Sequence, residues 1–168
     1  MRLWRQAAIG AAFLLASACI SEADGAVKAL GPGHLYVTWK GLEPDKIASA
    51  WLIKRFVDRK AVFRFVTKGT PIKEGIPFDT PFSKLARSHS RSTFESILDA
   101  VKAEDQVLRE VGLIIRDIEV NAWGKKTTDE AVGVDTIVRG VVRTCPSEME
   151  CLEKGFVILD GLYAGLKR

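Results

Sequence analysis

The sequence predicts an α+β fold, a predominantly helical single domain with a few short N-terminal strands. Three observations carry that prediction. Segments with the β-branched and aromatic bias of strands, Leu35 to Trp39 and Ala61 to Thr67, stand only in the first half of the domain. Matches to the Ser/Thr-x-x-Glu capping pattern begin at Ser92, Thr127 and Ser147, each followed by apolar residues at helical spacing. No internal repeat or low-complexity tract points to another architecture.

Two segments of different character precede the domain. Residues 1–18 open with Arg2 and Arg5, continue through the apolar run Ala7 to Leu15, and end on the small residues Ala16, Ser17 and Ala18. That is the three-part pattern of an export signal. The run meets Ser17, Cys19, Glu22 and Asp24 before it reaches the roughly 20 apolar residues of a spanning helix. Cleavage after Ala18 serves two routes: ordinary signal removal, or lipoprotein processing with Cys19 as the acylated first residue. Leu15 stands four places before Cys19, one more than the usual lipoprotein pattern. Residues 19–33 are small, polar and glycine-bearing and read as a tether. The expected location is outside the cytoplasm, periplasmic or as a membrane-anchored lipoprotein, with membrane contact confined to a lipid anchor at Cys19.

The domain, residues 34–168, begins with the strand Leu35 to Trp39. Pro44 suits the first turn of a helix, and no breaker follows from Asp45 to Val57. Apolar residues occupy nearly every side of that helix, which predicts burial on several faces. A second strand follows at Ala61 to Thr67. Lys68 to Ser90 holds Pro71, Pro77 and Pro81 and reads as a long loop. The Ser92 capping box predicts a helix from Thr93 to about Lys102, and Val107, Leu108, Val111, Ile115 and Ile118 mark the next buried stripe. The match at Thr127 predicts a helix through about Arg143. After Ser147, Met149, Leu152, Phe156, Leu159, Tyr163 and Leu166 form one seam of a final helix.

The chain has 168 residues, an apolar content of 47% and a formal charge of +4. That length and composition suffice for a real core, and they exclude general disorder. Removal of Arg2 and Arg5 with the signal leaves +2, and the remaining cations are interleaved with acids, so nucleic acid is not an expected partner. Cys145 and Cys151 flank C-P-S-E-M-E-C and read as a disulfide in an oxidising compartment. The rival metal reading lacks the usual zinc spacing and a second ligand pair.

The stretch from Asp45 to Asp58, D-K-I-A-S-A-W-L-I-K-R-F-V-D, resembles the C-terminal domain of the ChrB-type chromate-resistance family. The similarity resumes at I-P-F-D ending in Asp79, at Ser88 and His89 before the T-F-E of Thr93 to Glu95, and at D-G-L-Y-A from Asp160 to Ala164. Ser92 stands where many members have cysteine, Gly165 replaces a common tryptophan, and the segment between His89 and Phe94 is shorter. An export signal occupies the place of the extra N-terminal domain of regulator-type members, so their transcriptional role is not implied. The resemblance implies a link to chromate stress, without a reaction.

No G-x-S-x-G, H-E-x-x-H, P-loop or dinucleotide fingerprint is present. The leading expectation is a protein that binds a small oxyanion or a metal ion. Candidate oxyanion ligands are Lys46, Arg55, Arg87, His89 and Arg91. Arg55 falls in an apolar sector beside Trp51, where it either snorkels or meets an anion or carboxylate. Arg87, His89 and Arg91 precede a helix N-terminus, whose N–H groups favour anions. Candidate metal ligands are His89 with Asp79, Asp117 and Asp160, implying a transition metal as cofactor. Those residues also define an enzyme alternative, a metal-assisted reaction that needs them to converge. Asp79 starting a turn, Asp117 flanking a stripe and Asp160 as a buried structural acid are the bland readings, and a non-catalytic envelope scaffold is the third alternative. Asp135 and Arg139 fit a salt pair four residues apart, and Asp45, Lys46 and Ser49 fit local capping or pairing.

Overall fold

The computed structural model describes residues 35–167. The export segment, the tether and Cys19 lie outside the described residues. The order of elements is β1 (Leu35–Trp39), α1 (Pro44–Leu52), β2 (Val62–Val66), β3 (Ile76–Pro77), α2 (Thr93–Ala100), α3 (Gln106–Glu119), α4 (Ala131–Thr144) and α5 (Glu148–Leu166). The α+β class, with its strands first and its helices dominant, is therefore observed.

The three strands form a parallel sheet in the order β2-β1-β3. Central β1 pairs Tyr36 with Phe63 on one side and with Ile76 on the other. Tyr36, Val37 and Thr38 are all buried, as a central strand covered on both faces requires. β3 falls inside the stretch expected to be an irregular loop. Only two residues long, it is held by pairing with β1, a distant partner that local sequence does not reveal. Gly75 permits the approach: a Cβ there, at φ +78°, would stand 2.7 Å from the Leu35 carbonyl oxygen.

α1 explains its own composition. Every residue from Pro44 to Leu52 is buried, and α2, α3, α4 and α5 all pack against this helix. The helix then widens into a π-helical turn, Ile53–Val57, closed by the Asp58 N–H to the Ile53 carbonyl at 2.7 Å. Trp51, fully buried, lies nearly parallel to Phe94 and meets Phe56 and Tyr163 edge-on. On α5, Gly155 lets the helix settle on α1. A Cβ there would lie 2.4 Å from Ile47 Cγ2, in a fully buried contact.

The Ser92 capping box is complete, with Ser92 Oγ accepting from the Glu95 N–H and Glu95 accepting from the Ser92 N–H. Its helix ends two residues before the expected Lys102, which has φ +51° and cannot continue it. The match at Thr127 does not form a capping box. Both threonines there donate to Asp117, and α4 starts later, at Ala131. Ser147 does cap α5, accepting from the Glu150 N–H. Cys145 and Cys151 are joined as a disulfide with their Cα atoms 5.6 Å apart, tying the end of α4 to the first turn of α5. The Asp135–Arg139 pair forms at 2.6 Å.

Candidate functional site

All three strands run parallel, so their carboxyl ends share one edge of the sheet. β2 lies on one side of β1 and β3 on the other, which makes that edge a topological switch point, the usual place for a ligand crevice in open parallel sheets. A cleft of about 630 Å³ opens there. Trp39, Lys40, Gly41 and Glu43 reach it from the end of β1, Lys68 from β2, Asp79 and Thr80 from β3, and Arg87 from the segment before α2.

Lys46, in the first turn of α1, shapes the floor. Its ammonium donates to the carbonyls of Trp39 at 2.9 Å and Gly41 at 2.7 Å and lies 3.6 Å from Asp79 Oδ2. The β1–α1 loop is thus wrapped around a buried cation that donates to two of its carbonyls and pairs with Asp79. Asp79 follows β3 in a left-handed conformation at φ +49°, fixed by its N–H to the Leu85 carbonyl at 2.7 Å. The loop is further closed by Ser83, which accepts from the Leu85 N–H and donates to the Pro77 carbonyl. What the sequence presents as a long irregular segment is, from residue 76 to residue 85, internally hydrogen-bonded.

Beneath the cleft is a carboxylate centred on Asp45, which the sequence suggested only as a local partner. Ser49 does donate to it at 3.2 Å. Its main partners are distant: the N–H groups of Thr93 and Phe94, at 2.7 and 2.9 Å. Burial, then the nearby Asp79 carboxylate, push Asp45 up to about 7, against those two N–H groups. Burial likewise raises Asp79, opposed by the Thr93 hydroxyl at 2.7 Å and by Lys46. Glu119 at the end of α3 is raised by burial and by Glu43, opposed by Arg139, Arg87 and the Asp45 N–H.

The structure brings Lys46, Asp79 and Arg87 to one cleft and disperses the other candidates. Arg87 lies 4.0 Å from Glu43 and 3.5 Å from Glu119. Arg91 pairs with Asp99. His89 is exposed in the turn closed by the Ser88 N–H to the Arg91 carbonyl. The α2 N-terminus expected to attract an external anion is already taken by Asp45 and Ser92, which corrects that part of the reading. Arg55 is not enclosed in an apolar sector. It is substantially exposed, bridges to Asp160 at 3.0 and 2.8 Å, and lies over the Phe156 ring. Asp160 also accepts from the Trp51 indole at 2.7 Å, so it joins α1 to α5.

Asp117 accepts from Asn121, Thr127 and Thr128 at the α3–α4 connection. Among the described residues, no three or more His, Cys, Asp or Glu side chains gather as a metal site. Asp79, Asp117 and Asp160 are each held by a different set of elements, and the convergence that the metal and enzyme readings require is not found. Missing from the sequence reading were Lys40 and Lys68. Neither ammonium has a hydrogen bond or ion pair among the described residues, although both line the cleft. Their only sequence signal is position: each follows the last residue of a strand by one or two places.

The family described as ChrB, C-terminal domain, matches residues 36–166. Protein ChrB of Cupriavidus metallidurans is 28% identical over 134 residues, covering 78% of this chain and 40% of that protein. The chain therefore spans well under half the length of the curated relative it matches. No solved structure matches it. The matched region runs from the second residue of β1 to the last residue of α5, so among the described residues it takes in the sheet apart from Leu35, all five helices and the cleft. With sheet, helices and cleft all inside that match, the chain belongs to the ChrB C-terminal domain family.

Proposed function

We propose that this domain contributes to chromate resistance by binding a small tetrahedral oxyanion in the cleft at the strand ends. The observation that carries the reading is the lining: Lys40, Lys46, Lys68 and Arg87 against Glu43 and Asp79, with the Lys40 and Lys68 ammonium groups unengaged among the described residues. Cations lining a concave site attract an anion through a potential of several kT, and salt weakens that attraction. Family membership supplies the link to chromate.

Calorimetry on the protein from Cys19 onward should register chromate binding that weakens with added salt. A Lys40→Ala/Lys68→Ala double variant should bind at least about tenfold more weakly, equivalent to ~1.4 kcal/mol. Arg55→Ala should bind as the parent does, because that guanidinium is engaged by Asp160. Undiminished binding by the double variant refutes the assignment, and a bound metal lost on His89→Ala would put the metal reading in its place.

We further propose that the protein acts outside the cytoplasm, its mature chain starting at Cys19. The signal-like residues 1–18 support this, and a Cys145–Cys151 disulfide suits an oxidising compartment. Intact-mass measurement on an envelope fraction should give a chain lacking Arg2 and Arg5. A mature form that retains them rules export out, whereas an unmodified Cys19 removes only the lipid anchor.

A further inference from the structure

A plain anion site has no use for a carboxylate, yet Asp79 stands in the cleft among the cations. The two requirements are compatible for one kind of ligand. A carboxylate repels a fully deprotonated oxyanion, but it accepts a hydrogen bond from an oxyanion that keeps a proton. We infer, resting on the oxyanion reading above, that the cleft selects tetrahedral oxyanions still carrying a proton, such as hydrogen chromate or hydrogen phosphate, and rejects sulfate. Lys40, Lys68 and Arg87 neutralise the anion, while Asp79 accepts its O–H.

The placement of Asp79 fits that role. Its backbone is fixed by the Leu85 carbonyl, and its side chain is 14% exposed on the cleft wall. Oδ1 accepts from Thr93 Oγ1 at 2.7 Å and Oδ2 lies 3.6 Å from Lys46 Nζ. With about four lone-pair sites on a carboxylate, both oxygens retain acceptor capacity. The charged groups around it are Lys46 and Asp45 from α1, Glu43 from the β1–α1 loop and Arg87 from the segment before α2. Burial and Glu43 oppose its ionised form, and the Thr93 hydroxyl, Lys46 and Arg87 favour it.

The chemistry of the ligands makes this the available means of discrimination. Chromate and sulfate share shape and full charge, so size cannot separate them. Their proton affinities differ: hydrogen chromate gives up its last proton near neutral pH, whereas hydrogen sulfate keeps its proton only in strong acid. An acceptor aimed at the ligand therefore reads a proton that sulfate never brings. A site built around one such hydrogen bond rejects an analogue lacking it by as much as 10⁴–10⁵, and about a hundredfold is expected for a cleft this open.

Equilibrium dialysis of the full chain with radiolabelled chromate, slightly below neutral pH, tests the inference. Inorganic phosphate should displace the label, and about a hundredfold excess of sulfate should not. Chromate affinity should fall as pH rises and the ligand loses its proton. Asp79→Asn should abolish the discrimination and let sulfate compete at parity, since the amide oxygen can still accept from Thr93, the amide N–H now donates, and asparagine tolerates positive φ. Sulfate competing equally on the parent protein overturns the inference and leaves the oxyanion reading standing. Failure of chromate and phosphate alike to bind overturns both. If Asp79→Asn does not fold, the parent's sulfate-to-phosphate ratio and its pH trend still decide.

Discussion

Replacing Asp45 by alanine is expected to lower the unfolding free energy by about 3 kcal/mol, because two backbone N–H groups and a hydroxyl lose a buried acceptor. The carboxylate receives Thr93 N–H, Phe94 N–H and Ser49 Oγ–H while only 2% exposed. Its pH dependence follows from its pKa, pushed up to about 7 in the folded protein from 3.8. A raised carboxyl means that the folded state binds the proton more tightly than the unfolded chain does. The stabilisation is therefore full below about pH 4 and declines as pH rises through 7, by a few kcal/mol at roughly 1.4 kcal/mol per unit. Asp79 and Glu119, also raised, add slope of the same sign. Asp45→Asn should flatten the profile between those limits without abolishing it. It should be less stable than the parent at pH 4 and approach it at pH 8, where the parent buries a charge. Urea unfolding at the two pH values measures this, and an unchanged slope in Asp45→Asn would exclude Asp45 as its source.

The parts of this fold that the sequence reveals are those decided within a few residues. The Ser92–Glu95 capping box is reciprocal over three residues, and the apolar stripe of α3 needs only its own periodicity. Readings fail where a distant group enters. Thr127 has the right neighbours for a capping box, but Asp117 outcompetes them by offering a carboxylate to the same donors. Asp45 shows both cases at once. Its bond to Ser49, four residues away, is legible; its bonds to Thr93 and Phe94, 48 and 49 residues away, are not.

The candidate site obeys the same rule. Arg55 meets a carboxylate, one of the alternatives its position left open, but the partner is 105 residues distant and the pair ties α5 to α1. Lys40 and Lys68 are ordinary exposed lysines until the strand order is known. Only the parallel pairing of β1 with both β2 and β3 puts their strand ends, and Asp79, around one cleft.

Asp117 should show the opposite pH behaviour from Asp45. Its side chain accepts from Asn121 Nδ2 at 3.1 Å and from the N–H and hydroxyl groups of both Thr127 and Thr128. Burial alone would raise it, but those bonds overcome burial and hold it at about 2. A depressed carboxyl stabilises the fold above the unfolded value of 3.8, and the contribution is lost as pH falls from about 4 towards 2. The linked term is about 2 kcal/mol at ~1.4 kcal/mol per unit. Asp117→Ala, which strands all these donors at the α3–α4 connection, should lower stability by about 3 kcal/mol at neutral pH. Asp117→Asn retains an oxygen acceptor and should lose less, while removing the acid-side slope. The two carboxylates then act in different windows: acidification from pH 7 to 4 strengthens the Asp45 contribution, and further acidification to pH 2 removes that of Asp117. Denaturant midpoints across pH 2–8 for parent, Asp45→Asn and Asp117→Asn would resolve the windows. If Asp117→Asn still loses stability below pH 4 as steeply as the parent, the anchor of the α3–α4 connection is not its carboxylate charge.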